Sequence, residues 1–118
     1  MIHSVFRFSK EFELLYKDGY CRGPGKKSFS KCFAKDIKSY IDCGIACKSI
    51  KSCIAFNYNK ASKNCFLITI WKMEKSCPDG YQWNVGGLLA TSVKDFEKKT
   101  NADLVCYAKI KFDENERR

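Results

Sequence analysis

Four of the eight cysteines in this 118-residue chain, Cys43, Cys47, Cys53 and Cys65, fall between Ser39 and Leu67. A stretch so densely crosslinkable leaves few folds open. Cys43 and Cys47 are four apart, so on a helix they lie on one face, one turn above the other. Ser39 followed by Asp42 is close to a capping box, with Asp in place of the usual Glu or Gln, and starts that helix. After Cys53 the period changes. Ile54, Phe56 and Tyr58 alternate with Ala55 and Asn57, the pattern of a strand. A turn over 59–64 (NKASKN) follows, and 65–71 (CFLITIW) is the returning strand. The order is therefore a short helix and then a hairpin, with cysteines on both.

The run C-x3-C-x5-C-x-A-F-x-Y-x6-C-F-L from Cys43 to Leu67 resembles the core of the PAN/apple domain family. The resemblance covers about 19–67 well and the last third of the chain loosely. It implies an α+β fold: a curved antiparallel sheet with one helix packed across it, stapled by disulfides that tie the helix to the central strands. In that family the first cysteine lies on an N-terminal strand and pairs with one on the last strand, which by analogy joins Cys21 to Cys106. The family's nested pattern implies Cys43–Cys65 and Cys47–Cys53. Spacing leaves open the alternative of Cys43 with Cys53 and Cys47 with Cys65. Cys32 and Cys77 exceed the commonest family set and pair by elimination, with Cys32–Cys106 and Cys21–Cys77 as the competing arrangement. PAN/apple modules bind proteins or glycans in settings as different as zymogens, growth factors and adhesins, so function must be argued from the site.

A chain of this length makes one domain, with a core over about 12–112 and a charged tail at 113–118 (DENERR). Apolar residues make up 45% of it, enough for a real core, though at this size each staple still matters. Eight cysteines in so small a chain point to an oxidising compartment and four disulfides. A zinc site would need CxxC pairs or a Cys/His mix; the closest spacing here is CxxxC, and the only histidine is His3. No metal and no cofactor is expected. The first residues lack the apolar core and cleavage site of a signal peptide, and no run reaches the roughly 18 apolar residues of a membrane span. The expectation is a secreted, extracellular chain whose signal has been removed.

Along the rest of the chain, Phe12, Leu14 and Tyr16 suggest a strand that ends near Asp18-Gly19, and Pro24-Gly25 marks a turn. The alternation of Val105, Tyr107 and Lys109 with Cys106, Ala108 and Ile110 predicts a last strand. Pro78-Asp79-Gly80 predicts a turn, and Gly86-Gly87 a second turn or bulge. Ser92 and Asp95 again resemble a cap, which predicts a two-turn helix over 92–101 (SVKDFEKKTN). Trp71 and Trp83 are expected to pack in the core or on a sheet face, with an exposed aromatic contact to a sugar or protein as the sharper alternative.

The net charge of +9 is uneven. Residues 1–21 hold three basic and three acidic side chains, and residues 73–118 hold eight of each. Residues 22–72 hold eleven basic residues against Asp36 and Asp42 alone, so the whole excess lies in the helix, the loop before it and the hairpin. Lys26, Lys27, Lys31, Lys35, Lys38, Lys48 and Lys51 are the candidate ligand-binding residues, for an anionic glycan or an acidic extracellular protein. Nucleic acid fits the charge but not the compartment, and the excess is lysine rather than arginine.

Catalytic constellations are missing from the sequence. A Ser-His-Asp arrangement would have to use the near-terminal His3, and Gly23-Pro24-Gly25 is too short for a phosphate-cradling loop. The expectation is a non-enzymatic extracellular binding module that recognises a carbohydrate, such as a sulfated glycan, or a protein. It would be a monomer or a non-covalent oligomer, because four bridges leave no cysteine over. The alternative is a secreted structural protein that assembles with itself or with other secreted chains.

Overall fold

The computed structural model describes residues 11–73 and 77–110. The expected 113–118 tail and His3 lie outside them. Among the described residues there are eight strands: β1 (Phe12–Tyr16), β2 (Gly19–Arg22), β3 (Lys31–Ala34), β4 (Cys53–Asn59), β5 (Asn64–Thr69), β6 (Gln82–Asn84), β7 (Glu97–Thr100) and β8 (Leu104–Lys109). One α-helix, α1 (Tyr40–Lys48), lies between β3 and β4 among the described residues. Six strands form one antiparallel sheet in the order β1-β8-β4-β5-β3-β6, and β2 and β7 form a separate antiparallel pair. The fold is α+β.

The helix forms where its local signals put it. The Ser39 hydroxyl accepts from the Asp42 amide at 3.3 Å, and Asp42 sits in the first turn, where its charge suits the helix dipole. Nine residues are too few to hold a helix in water, so docking must stabilise it. Cys43 and Cys47 point at the sheet and are fully buried; they are bonded to Cys65 on β5 and to Cys53 at the start of β4. Tyr40, at the helix start, stacks on Tyr107 of β8 with ring centroids 5.2 Å apart, and Tyr107 stacks in turn on Phe56 of β4 at 5.3 Å. Aromatic pairs at this distance add to area burial and hold the helix across the middle of the sheet.

The other face of the sheet is also covered. β2 lies against it, tied by the Cys21–Cys106 disulfide and by a side chain. The Oδ1 of Asn57 accepts from the Cys21 amide at 2.9 Å, and its Nδ2 donates to the Cys21 carbonyl at 3.0 Å. A buried amide thus supplies the two bonds that a neighbouring strand would supply in a ladder. With layers on both sides, every residue of β4 from Cys53 to Tyr58 is buried. Two cores result, one under the helix around Phe56, Tyr58 and Leu67, the other under β2 around Ile54, Ile68 and Cys106. Trp71 and Trp83 are both half-buried against the first. The fourth disulfide joins Cys32 on β3 to Cys77. Of the pairings that spacing left open, the structure holds the nested one at the helix and Cys21–Cys106 rather than Cys32–Cys106.

The expected helix over 92–101 does not form. Its cap is real: Ser92 Oγ accepts from the Lys94 amide at 3.1 Å and starts a single 3-10 turn over Val93–Asp95. After Phe96 the chain extends instead, as β7, and pairs with β2 from Gly19↔Thr100 to Arg22↔Glu97. Every residue of β7 is exposed, so a helix there would have no apolar face to bury, whereas β2 presents free backbone groups to pair. Gly86, in the expected turn or bulge, makes a close contact across the chain. Its amide donates to Ser30 Oγ at 2.8 Å, and any Cβ there would collide with the backbone of Ser28 and Phe29. Only glycine allows this close approach, which fastens the loop around Gly86 to the segment before β3.

Candidate functional site

Strand alternation and loop bonding separate the seven candidate lysines. On β3, Cys32 faces the helix-side core, so Lys31 and Phe33 face the opposite side; Phe33 pairs there with Phe66 at 5.1 Å. Lys26 and Lys27 are exposed in the loop between β2 and β3. Lys35 and Lys38 are exposed after β3, beside the β4–β5 turn, because the Ile37 amide donates to the Lys63 carbonyl at 2.9 Å. That bond brings Lys63, and with it the Lys60 turn, next to them. Lys48 and Lys51 lie at the far end of α1, on the helix side, where Lys48 pairs with Glu11 at 2.8 Å. The lysines therefore form three pairs and a single residue, Lys31, which lies on the face opposite Lys48 and Lys51.

Between β2 and the sheet face that carries Lys31 lies a cleft of about 280 Å³. Phe66, Ile68 and Leu104 line its apolar part, and Arg22 and Lys31 are its cations; no carboxylate among the described residues lines it. Each side chain is there for a local reason. Phe66 and Ile68 are alternate residues of β5 and so share the face of Lys31, which sits opposite Ile68 in the register. Arg22 ends β2, the strand held down by Asn57 and Cys106.

The electrostatics of the cleft are unbalanced. Burial pushes the Lys31 ammonium below the usual lysine pKa, because leaving water disfavours its charged form. Among the described residues the ammonium donates to the neutral Ser28 hydroxyl at 2.8 Å. The Nε of Arg22 is buried and has no hydrogen-bond partner among the described residues. A buried unpaired donor carries an unrelieved desolvation penalty, greater when the group is charged.

Sequence reasoning pointed to Lys31 and counted Arg22 in the charge excess, but it missed Phe66, Ile68 and Leu104 as part of a site. The only signal for them was the strand period, which assigns faces and says nothing about what covers each face. Among the described residues no three His, Cys, Asp or Glu side chains gather as metal ligands, and all eight cysteines are in disulfides. No described helix is long and apolar enough to cross a membrane. The site offers positive charge over apolar surface. Comparison with protein-family models, with curated proteins and with solved structures finds no match.

Proposed function

We propose that this chain is a non-enzymatic, extracellular binding module of the PAN/apple kind that takes an anionic partner, a sulfated glycan, on its exposed lysines. One observation carries the reading. Of the seven candidate lysines, the exposed Lys26, Lys27, Lys35, Lys38 and Lys51 form no ion pair with any described residue, so their charge is left for a partner. Single surface charges contribute little, but a polyanion that touches several at once sums their attraction and gains association rate from the field. The helix across an antiparallel sheet and the bridges from helix to central strands support the family reading. The four disulfides fit secretion into an oxidising compartment.

The test is retention on immobilised heparin against a plain cation exchanger of similar charge density, in the same salt gradient. Later elution from heparin is expected, and charge reversal at Lys26, Lys27, Lys35 and Lys38 is expected to abolish the difference. Equal or earlier elution of the unmodified protein would mean that the positive charge is only a solvated surface.

A further inference from the structure

A glycan on exposed lysines does not account for the cleft between β2 and the main sheet. At about 280 Å³ it is at or just below the small end of ligand sites, which run from roughly 300 to 1,000 Å³, and it has no room for a polysaccharide chain. Its composition also selects. An inorganic anion would meet Arg22 and Lys31 but leave Phe66, Ile68 and Leu104 against water. A neutral hydrocarbon would cover those three and leave both cations without a counter-charge. Only a molecule with an acid group at one end and an apolar body at the other uses all five side chains.

We infer that the cleft binds a small amphipathic organic acid, with its acid group on Arg22 and Lys31 and its apolar body over Phe66, Ile68 and Leu104. The acid group supplies an acceptor for the Arg22 guanidinium, whose buried Nε has no partner among the described residues, in a charge-assisted bond of the stronger kind. It also restores a counter-charge to Lys31, whose nearest polar partner is the neutral Ser28 hydroxyl. The cleft is held open for a ligand by covalent and hydrogen-bonded struts: the Cys21–Cys106 disulfide and the Asn57 amide fix the β2 wall. The site is thus pre-formed, which limits the ordering that binding requires.

The test uses the oxidised protein and three probes: octanoate, octan-1-ol and sodium sulfate. Binding is followed by calorimetry and by amide shifts in NMR spectra. Octanoate is expected to bind saturably and to shift the amides of Arg22, Lys31 and Phe66. Octan-1-ol and sulfate, each with half of the pharmacophore, are expected to bind at least about tenfold more weakly. Arg22→Met keeps the aliphatic stem and removes the charge. It is expected to weaken octanoate roughly tenfold, as one charge-assisted hydrogen bond should, and to leave octan-1-ol unchanged. If that variant does not fold, Lys31→Met, on a strand that other bonds hold, gives the same reading. Octan-1-ol binding as tightly as octanoate would overturn the inference. So would a folded Arg22→Met protein that keeps wild-type affinity, or shifts that map away from the cleft. Heparin retention involves the four exposed lysines outside the cleft, so either proposal can fail while the other stands.

Discussion

Replacing Asn57 by leucine tests the joint between the two layers. Asn57 is 6% exposed and Cys21 3%, so neither group of the pair has water to fall back on. Leucine has the branching and heavy-atom count of asparagine but no polar atoms. The Cys21 amide and carbonyl, now bonded at 2.9 and 3.0 Å, would both be left unpaired in the interior. Each buried orphan costs about 1–3 kcal/mol, and the added apolar burial offsets about 1–2 kcal/mol of the sum. A net loss of about 1–4 kcal/mol is expected, against a total stability of about 5–15 kcal/mol for a domain. Because the Cys21–Cys106 disulfide still tethers β2, the damage should concentrate in β2 and β7. Urea denaturation of the oxidised protein gives the total, and amide hydrogen exchange gives the place. A loss under about 0.5 kcal/mol, or exchange that rises equally across the six-stranded sheet, would refute the claim that this side chain joins the layers.

Two further outcomes follow from the staples and the buried rings. Cys21 and Cys106 are 85 apart and Cys47 and Cys53 only 6 apart, so in the loop-entropy relation the first bridge contributes ~4–5 kcal/mol and the second ~2. All four cysteines are buried, so in urea melts of the two double-alanine proteins a difference of about 2–3 kcal/mol reports loop length, and equal losses would contradict it. Burial foremost, with the Asp42 charge near Tyr81 and Tyr40 beside Tyr107, pushes the Tyr81 and Tyr107 hydroxyls up to about 12. A folded-state pKa above the unfolded value of about 10 means that their contribution to stability is complete below about pH 10 and is lost as pH rises through about 12. An ultraviolet tyrosinate titration should show these two ionising last, and all six tyrosines titrating together near 10 would refute the burial argument.

The parts of the fold legible in the sequence are those set by neighbours along the chain. The Ser39 cap, the helix with Cys43 and Cys47 on one face, and the change of period after Cys53 are local, and they formed as spaced. The same local logic misled at Ser92. There the cap signal was genuine, but seventy-odd residues away β2 offered a free edge, and pairing with it outweighed a helix that had nothing to bury. Asn57 was equally opaque. In a strand with alternating residues it resembles a solvent-facing position, and it is buried only because β2 crosses over it.

For the site the division is sharper. Charge is additive along a chain, so the sequence by itself determined that residues 22–72 carry the positive excess, and cysteine count determined that bridges could hold the domain. Neighbourhood in space is not additive. Only the tertiary structure decided that Lys31 faces away from Lys48, that Arg22 meets it across a cleft, and that Phe66, Ile68 and Leu104 lie beneath them. Those five come from β2, β3, β5 and β8, and what places them together is strand order and which face the second layer covers. Both are set by long-range pairing, whose partners no local pattern names.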